Sequence, residues 1–391
     1  MKRVIFIDNT KRTFVNISLY AEAERHYAEA YNRRFLRKML AKAGVNNAPP
    51  DMRNAFWAQQ ELGVEDPEDG AVEISATSAE GGSTKFTSAG EVVANFTPSD
   101  NHLSLAERAE FSRFLYGSAS LHPQIINAIL ASGAVPKQLF YVTMIVGKRK
   151  SVQWTLSSVA RSTAAYPLEP ESANKSLSVG PSDQAVADLM PVMLSAVAGK
   201  APGMRSLSDY NSQIDGALKQ DNYFEAFLTY LEMTLQYGQG AGICKADQTA
   251  GCHRSSDLAD AAKKDLRTAT LVQALATEKS DAAKAIAMER SIDRTGVSNS
   301  YVVDDFLGST LADTGRGQEA IPLFSNAIRG NPYVAGYYKD FGDFFRESFH
   351  DDLAWLFYDF GRELPGGPNA PVISDINGYE SFLEKNVPQF F

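Results

Sequence analysis

Up to about residue 166 the apolar positions follow two periods in turn. RVIFID (3–8) and TFVNISL (13–19) are β-rich runs separated by NTKR, which predicts a hairpin. Residues 20–43 carry Tyr27, Tyr31, Phe35 and Met39 at intervals of four, with Leu36 and Leu40 beside them, the stripe of an amphipathic helix. Its charges run from Glu22, Glu24 and Glu29 to Arg33, Arg34, Arg37, Lys38 and Lys42, the order that complements a helix macrodipole, and Gly44 stands where a C-terminal cap belongs. AVEISAT (71–77) and GEVVANF (90–96) read as a second strand pair joined by the Gly/Ser/Thr-rich SAEGGSTKFTSA. Two helices follow, the first opened by Ser104 with Glu107 at the capping-box position. KQLFYVTMIVG and SVQWTLSSVA, turning through KRK, make the last pair. Six β runs with helices between them predict an α+β domain over residues 1–166 with a mostly antiparallel sheet.

Residues 167–182, PLEPESANKSLSVGPS, have no period and are rich in Pro and Ser, the signature of a linker. Beyond it the pattern is helical only, so residues 183–391 are expected to be an all-α domain. Within that domain the stretch FLGSTLADTGRGQEAIPLFSNAIRGNP (306–332) recurs. Leu307, Gly308, Leu311, Ala320, Phe324, Ala327 and Pro332 are followed 34 residues later by Phe341, Gly342, Phe345, Ala354, Tyr358 and Gly361, with Pro365 one position early. A glycine inside a helix costs about 1 kcal/mol against alanine, so Gly308 and Gly342 imply a close approach between two antiparallel helices. Pro322 fits such a unit only near the first turn of its helix.

This order and period resemble the tetratricopeptide repeat, whose signature is W-x2-L-G-x2-Y, then A-x3-F, then P. The resemblance covers residues 301–368, with Asp304 standing where the family carries Trp. A degenerate copy is expected at 213–238, where Ala226 and Tyr230 keep the A-x3-F spacing without the Leu-Gly pair. The helices of 256–295 read as a connector, and GYESFLEKNVPQFF (378–391) as a cap on the stack. The family binds peptides or proteins on the concave face of its first helices. Carried over by position, the lining here is Asp305, Ser309, Ala312, Asp313, Lys339, Asp343, Arg346 and Glu347. Their mainly acidic character implies a basic or mixed-charge protein segment as partner, with no cofactor.

Charge supports that expectation. The chain has a net charge of −9, and residues 301–391 hold fourteen Asp and Glu against six Lys and Arg, a net of −8. A nucleic-acid binder would need a concentrated basic surface. No apolar run reaches the roughly 20 residues of a membrane span, and the opening MKRVIFIDNT is too short for a secretory core. A cytoplasmic protein is therefore expected, or an exported one if a leader was removed, with oligomeric state left open. Cys244 and Cys252, with seven residues between them, form a disulfide or remain free thiols, and their spacing is poor for zinc. The DFG of Asp340–Gly342 echoes a kinase motif without its companions, and Ser172 and Lys175 form an unsupported S-x-x-K. GKRKS (147–151) lacks the upstream glycine of a phosphate loop, and VEDPEDG misses the oxygen pattern of a calcium loop. The five histidines form no paired motif, so the rival reading, an enzyme in the first domain with the array as docking arm, rests on folding to assemble a site, for instance around His122.

Overall fold

The fold is described from a computed structural model, over residues 3–8, 13–43, 55–65, 72–145, 148–159, 181–238, 260, 263–366, 370 and 372–391. Cys244, Cys252, Ser172 and Lys175 lie outside the described residues, as does the expected linker apart from Pro181 and Ser182. Two compact units emerge, and neither is one continuous piece of chain. One comprises Met1–Ser18 with Asn174–Glu380, the other Leu19–Ala173 with Ser381–Phe391. The chain is thus an antiparallel α+β part followed by an all-helical part, with both extremities exchanged.

The first strands, β1 (Arg3–Asp8) and β2 (Thr13–Ser18), pair antiparallel as expected. They form their own two-stranded sheet and belong to the helical unit, not to the larger sheet. The helix α1 (Leu19–Lys42) opens the sheet unit. Its stripe is only half used. Tyr27 packs edge-on to Phe382 and His26 lies against Phe390, whereas Tyr31, Phe35, Leu36 and Met39 are exposed. Burial instead follows Leu19, Tyr20, Ala23 and Ala30, a line the aromatic spacing did not mark.

After α2 (Ala55–Leu62) come β3 (Ile74–Ala79), β4 (Ser83–Ser88) and β5 (Glu91–His102). The segment expected as a loop between two strands is therefore itself a strand: β4 pairs with both neighbours and buries Phe86. The helices α3 (Leu105–Ser118) and α4 (Pro123–Ser132) precede β6 (Ala134–Ile145) and β7 (Lys148–Thr155), giving the antiparallel order β3-β4-β5-β6-β7. The capping box at Ser104 and Glu107 is formed in full. Against one face of the sheet, Phe56, Leu115, Ile125, Ile126 and Ile129 bury with Phe96, Leu139 and Tyr141. His122 completes this core. It is fully buried, stacks on Phe56 at 5.2 Å, accepts from the Gln124 N–H through Nδ1 at 3.3 Å, and donates from Nε2 to Gln59 Oε1 at 3.0 Å. Burial lowers its pKa to about 4, so the imidazole is neutral and serves as a helix cap.

The helical unit contains α5 (Pro181–Val197), α6 (Leu207–Lys219), α7 (Tyr223–Tyr237), α8 (Leu266–Thr277), α9 (Ala282–Ser291), α10 (Tyr301–Asp313), α11 (Gly317–Gly330), α12 (Ala335–Glu347), α13 (Asp351–Glu363) and the first turns of α14 (Val372–Asn386). Pro322 sits in the second turn of α11, deeper than expected, with its ring on the exposed side. The last segment does not cap the helical stack as one piece, because residues 381–391 join the sheet unit. There Tyr20 donates to Glu384 at 2.7 Å and Arg113 to the Phe391 carbonyl at 2.9 Å. Among the described residues no helix is long and apolar enough to cross a membrane.

Candidate functional site: an acidic face on repeated helix pairs

The pairs α6/α7, α10/α11 and α12/α13 close in the same way. In each, a residue with positive φ ends the first helix: Asp221 (57°), Gly315 (74°) and Phe349 (60°). The next N–H reaches back five residues, from Asn222 to Ala217, from Arg316 to Leu311 and from His350 to Phe345, at 2.9, 2.9 and 2.8 Å. These are Schellman turns. Ala226, Ala320 and Ala354 then occupy matching, fully buried places on the second helix. All of Leu307, Gly308, Leu311, Ala320, Phe324, Ala327, Phe341, Gly342, Phe345, Ala354 and Tyr358 are buried. The glycines receive an aromatic ring: a Cβ at 308 would meet Phe324 at 3.1 Å, and one at 342 would meet Tyr358 at 2.5 Å.

The expected lining residues share one face without being equally accessible. Asp313 and Glu347 are exposed, and Ser309, Ala312, Lys339, Asp343 and Arg346 are half-buried. Asp343 accepts from Lys339 Nζ and from Tyr358 Oη, each at 2.5 Å, and the Arg346 guanidinium lies over the Tyr379 ring at 4.2 Å. Asp305 is the correction. It is only 1% exposed, because α10 turns this position toward α12 rather than to solvent. Asp304 is buried in an ion pair with Arg294.

Sequence reading missed the partners of Asp305. Its carboxyl interacts with that of Asp340, and no other group among the described residues donates to either Asp305 oxygen. Burial first, then the neighbouring carboxyl, raises the Asp305 pKa well above the usual range. Burial also raises Asp340, with Asp343 and Glu278 adding to it against Lys339. Glu278, which acts on Asp340, accepts from Thr310 Oγ1 at 3.3 Å, and Glu289, fully buried with neither oxygen paired, is pushed up to about 7 by burial and by Glu278. Glu347 is raised by partial burial and by Asp313 and Asp343. The acids of α8, α9, α10 and α12 therefore form one patch. A pointer existed in the sequence, an aspartate inside the aromatic run YYKDFGDFF at a repeat seam.

A second buried acid shows what a purely structural one looks like. Glu232 on α7 is fully buried, yet Arg205 (2.8 Å), Tyr301 (3.0 Å) and Asn331 (2.5 Å) all donate to it. The partners are supplied there, as a buried charge requires. Around Asp305 and Glu289 they are fewer: Asp340 and Lys339 act on the first, Thr310 and Arg294 on the second. Among the described residues no cluster of His, Cys, Asp or Glu is arranged to hold a metal ion. Comparison with protein-family models, with curated proteins and with solved structures gives no match for this chain.

Proposed function

We propose that the helical unit is a tetratricopeptide-like array that binds a basic or mixed-charge segment of another protein along the face of α10 and α12. The observation that carries this reading is the crowding of Glu278, Asp305, Asp313, Asp340, Asp343 and Glu347 on these helices, where burial and neighbouring carboxylates hold Glu278, Asp305, Asp340 and Glu347 above their ordinary pKa. Like charges packed this closely cost stability unless a cation joins them. The repeated turns and glycine seams support an architecture that presents first helices side by side. A bound segment with Lys or Arg would neutralise the face and gain charge-assisted hydrogen bonds.

The test is a peptide array graded in net charge. The wild-type chain should retain basic peptides, and the double variant Asp313→Lys, Glu347→Lys, changed at exposed positions, should lose them while melting normally. Equal retention by both proteins, or a preference for acidic peptides, would remove the reading.

A further inference from the structure

The turn that joins α12 to α13 places an aromatic ring where the fold has no use for one. Phe349 has φ 60°, a backbone conformation that bulky side chains rarely adopt, and its ring is 70% exposed. At the equivalent turns the position belongs to Gly315 and to Asp221, residue types that tolerate positive φ. Phenylalanine is unfavourable there twice over, in its backbone and in its exposure to water, which points to a contact made outside the helical unit. Beside it lies a cavity of about 270 Å³, walled by Gly315, Gly317, Ile321, Phe344, Ser348 and His350. Gly317 lets the Phe344 ring form one wall, since a Cβ at 317 would meet that ring at 2.7 Å. Ser348 and His350 are the chain neighbours of Phe349, yet Phe349 is not part of the wall, so ring and hole stand side by side. An apolar cavity of about 150 Å³ is enough to hold benzene. This one therefore has room for a phenyl side chain entering from outside.

We propose that Phe349 docks into this cavity of a second copy of the chain, in a two-fold dimer where each copy gives one ring and receives one. A ring and a hole at neighbouring turns are what a two-fold contact requires, because one patch must serve as both surfaces. The charges at the two rims match as well. Next to the hole, Arg290 and Arg316 share the single carboxylate of Glu319, at 2.6 and 2.7 Å, leaving one positive charge in excess. Next to the ring, the first turn of α13 carries Asp351 and Asp352. Seating each ring in the opposite hole brings these rims together in both halves of the dimer. The contact goes beyond the array reading, since it uses the turns between helices and leaves the acidic face of α10 and α12 for another partner. One ring per copy buries far less than a permanent interface does, so the dimer is a weak one, with a dissociation constant on the order of 10–100 µM.

Sedimentation velocity of the full chain, from about 2 to about 300 µM, spans that constant and tests the dimer. The wild-type sedimentation coefficient should climb from the monomer value toward that of a dimer. Phe349→Asn removes the ring and keeps a residue suited to positive φ, and it should associate at least about tenfold more weakly. Gln318→Trp, at an exposed position on the cavity wall, should block entry and weaken association by a similar factor. Circular dichroism of each variant at low concentration should match the parent. A wild-type chain that stays monomeric at the highest concentration overturns the proposal, as does a Phe349→Asn protein that associates like the parent. Loss of association in Phe349→Asn but not in Gln318→Trp would mean that the rings meet each other, and would overturn the cavity as the receiving site. The wild-type series needs no variant, so it can overturn the dimer even if a substitution unfolds the chain. The peptide-retention test of the acidic face is read separately, and either result can fail without the other.

Discussion

Gly308 and Gly342 occupy equivalent places in two helix pairs, yet the rings above them sit at different heights. At 342 an added methyl would lie 2.5 Å from Tyr358 and 3.2 Å from the Ala354 carbonyl, a backbone atom that cannot swing away. At 308 it would meet only the Phe324 ring at 3.1 Å, which can give slightly. Alanine also gains about 1 kcal/mol of helix propensity. Gly342→Ala should therefore destabilise the helical unit by about 1–2 kcal/mol net of that gain, whereas Gly308→Ala should fall within about 1 kcal/mol of the parent; chemical denaturation of both variants checks the order. Phe349 presents the opposite case. It holds the positive-φ place that Gly315 fills one repeat earlier, and it is 70% exposed. Phe349→Asn should relieve about 1 kcal/mol of backbone strain, raising the melting temperature of the helical unit by about 2–4 °C. A fall in melting temperature would show that the ring makes contacts worth more than the strain.

At the scale of elements, Pro322 lies inside α11, where it removes a backbone donor and ordinarily costs about 3 kcal/mol. Its exposed position means that Pro322→Ala loses little packing, so it should stabilise the helix by a sizeable part of that amount, read as a later thermal transition. What could be read from the chain follows from how each element is made. The 34-residue recurrence was legible because Gly308, Ala320 and their copies are small for a packing reason that survives in the sequence. The β4 strand was not: Phe86 is its one apolar residue, and the Ser, Thr and Lys around it join the backbone ladder without marking a period. The same limit applied to the site. The acidic character of α10 and α12 was visible, but turning Asp305 inward against Asp340 depends on how two helices a repeat apart face each other. The stripe of α1 failed for a related reason, since periodicity marks a face without saying what covers it.

For the molecule as a whole, the two units should answer pH in opposite senses. In the helical unit Glu289 is buried and its pKa is raised to about 7, so the folded state keeps a proton that the unfolded chain gives up above its ordinary value. That stability is present at low pH and is lost as pH rises toward 7, and Asp305 and Asp340 act with it. In the sheet unit the buried His122 is lowered to about 4, so the unfolded chain takes up a proton below its ordinary value of 6.5 and stability falls as pH drops. Carboxylates held low by partners, such as Glu22, Asp265 and Glu319, matter only at more acidic pH. Between pH 7.5 and 5 each effect is on the order of 2 kcal/mol. Trp355 reports on the helical unit, and Trp57 and Trp154 on the other. Fluorescence melts of the Trp355→Phe variant beside the parent should show the helical transition moving up and the sheet transition moving down on acidification. Movement of both in one direction would contradict the assignment, and Glu289→Gln should remove much of the upward shift.

The exchange of chain extremities has a consequence for biosynthesis. Residues 19–173 leave the ribosome early, but the residues that pack on Tyr20, Tyr27 and Arg113 come only after the 207 residues from 174 to 380. At about 5–20 residues per second that interval is roughly 10–40 s. During it the early domain lacks Phe382, Phe390 and Phe391, so its aromatic seam waits open for a segment still to be translated. Completion of the first-made unit is thereby a late event, timed by the length of the helical array.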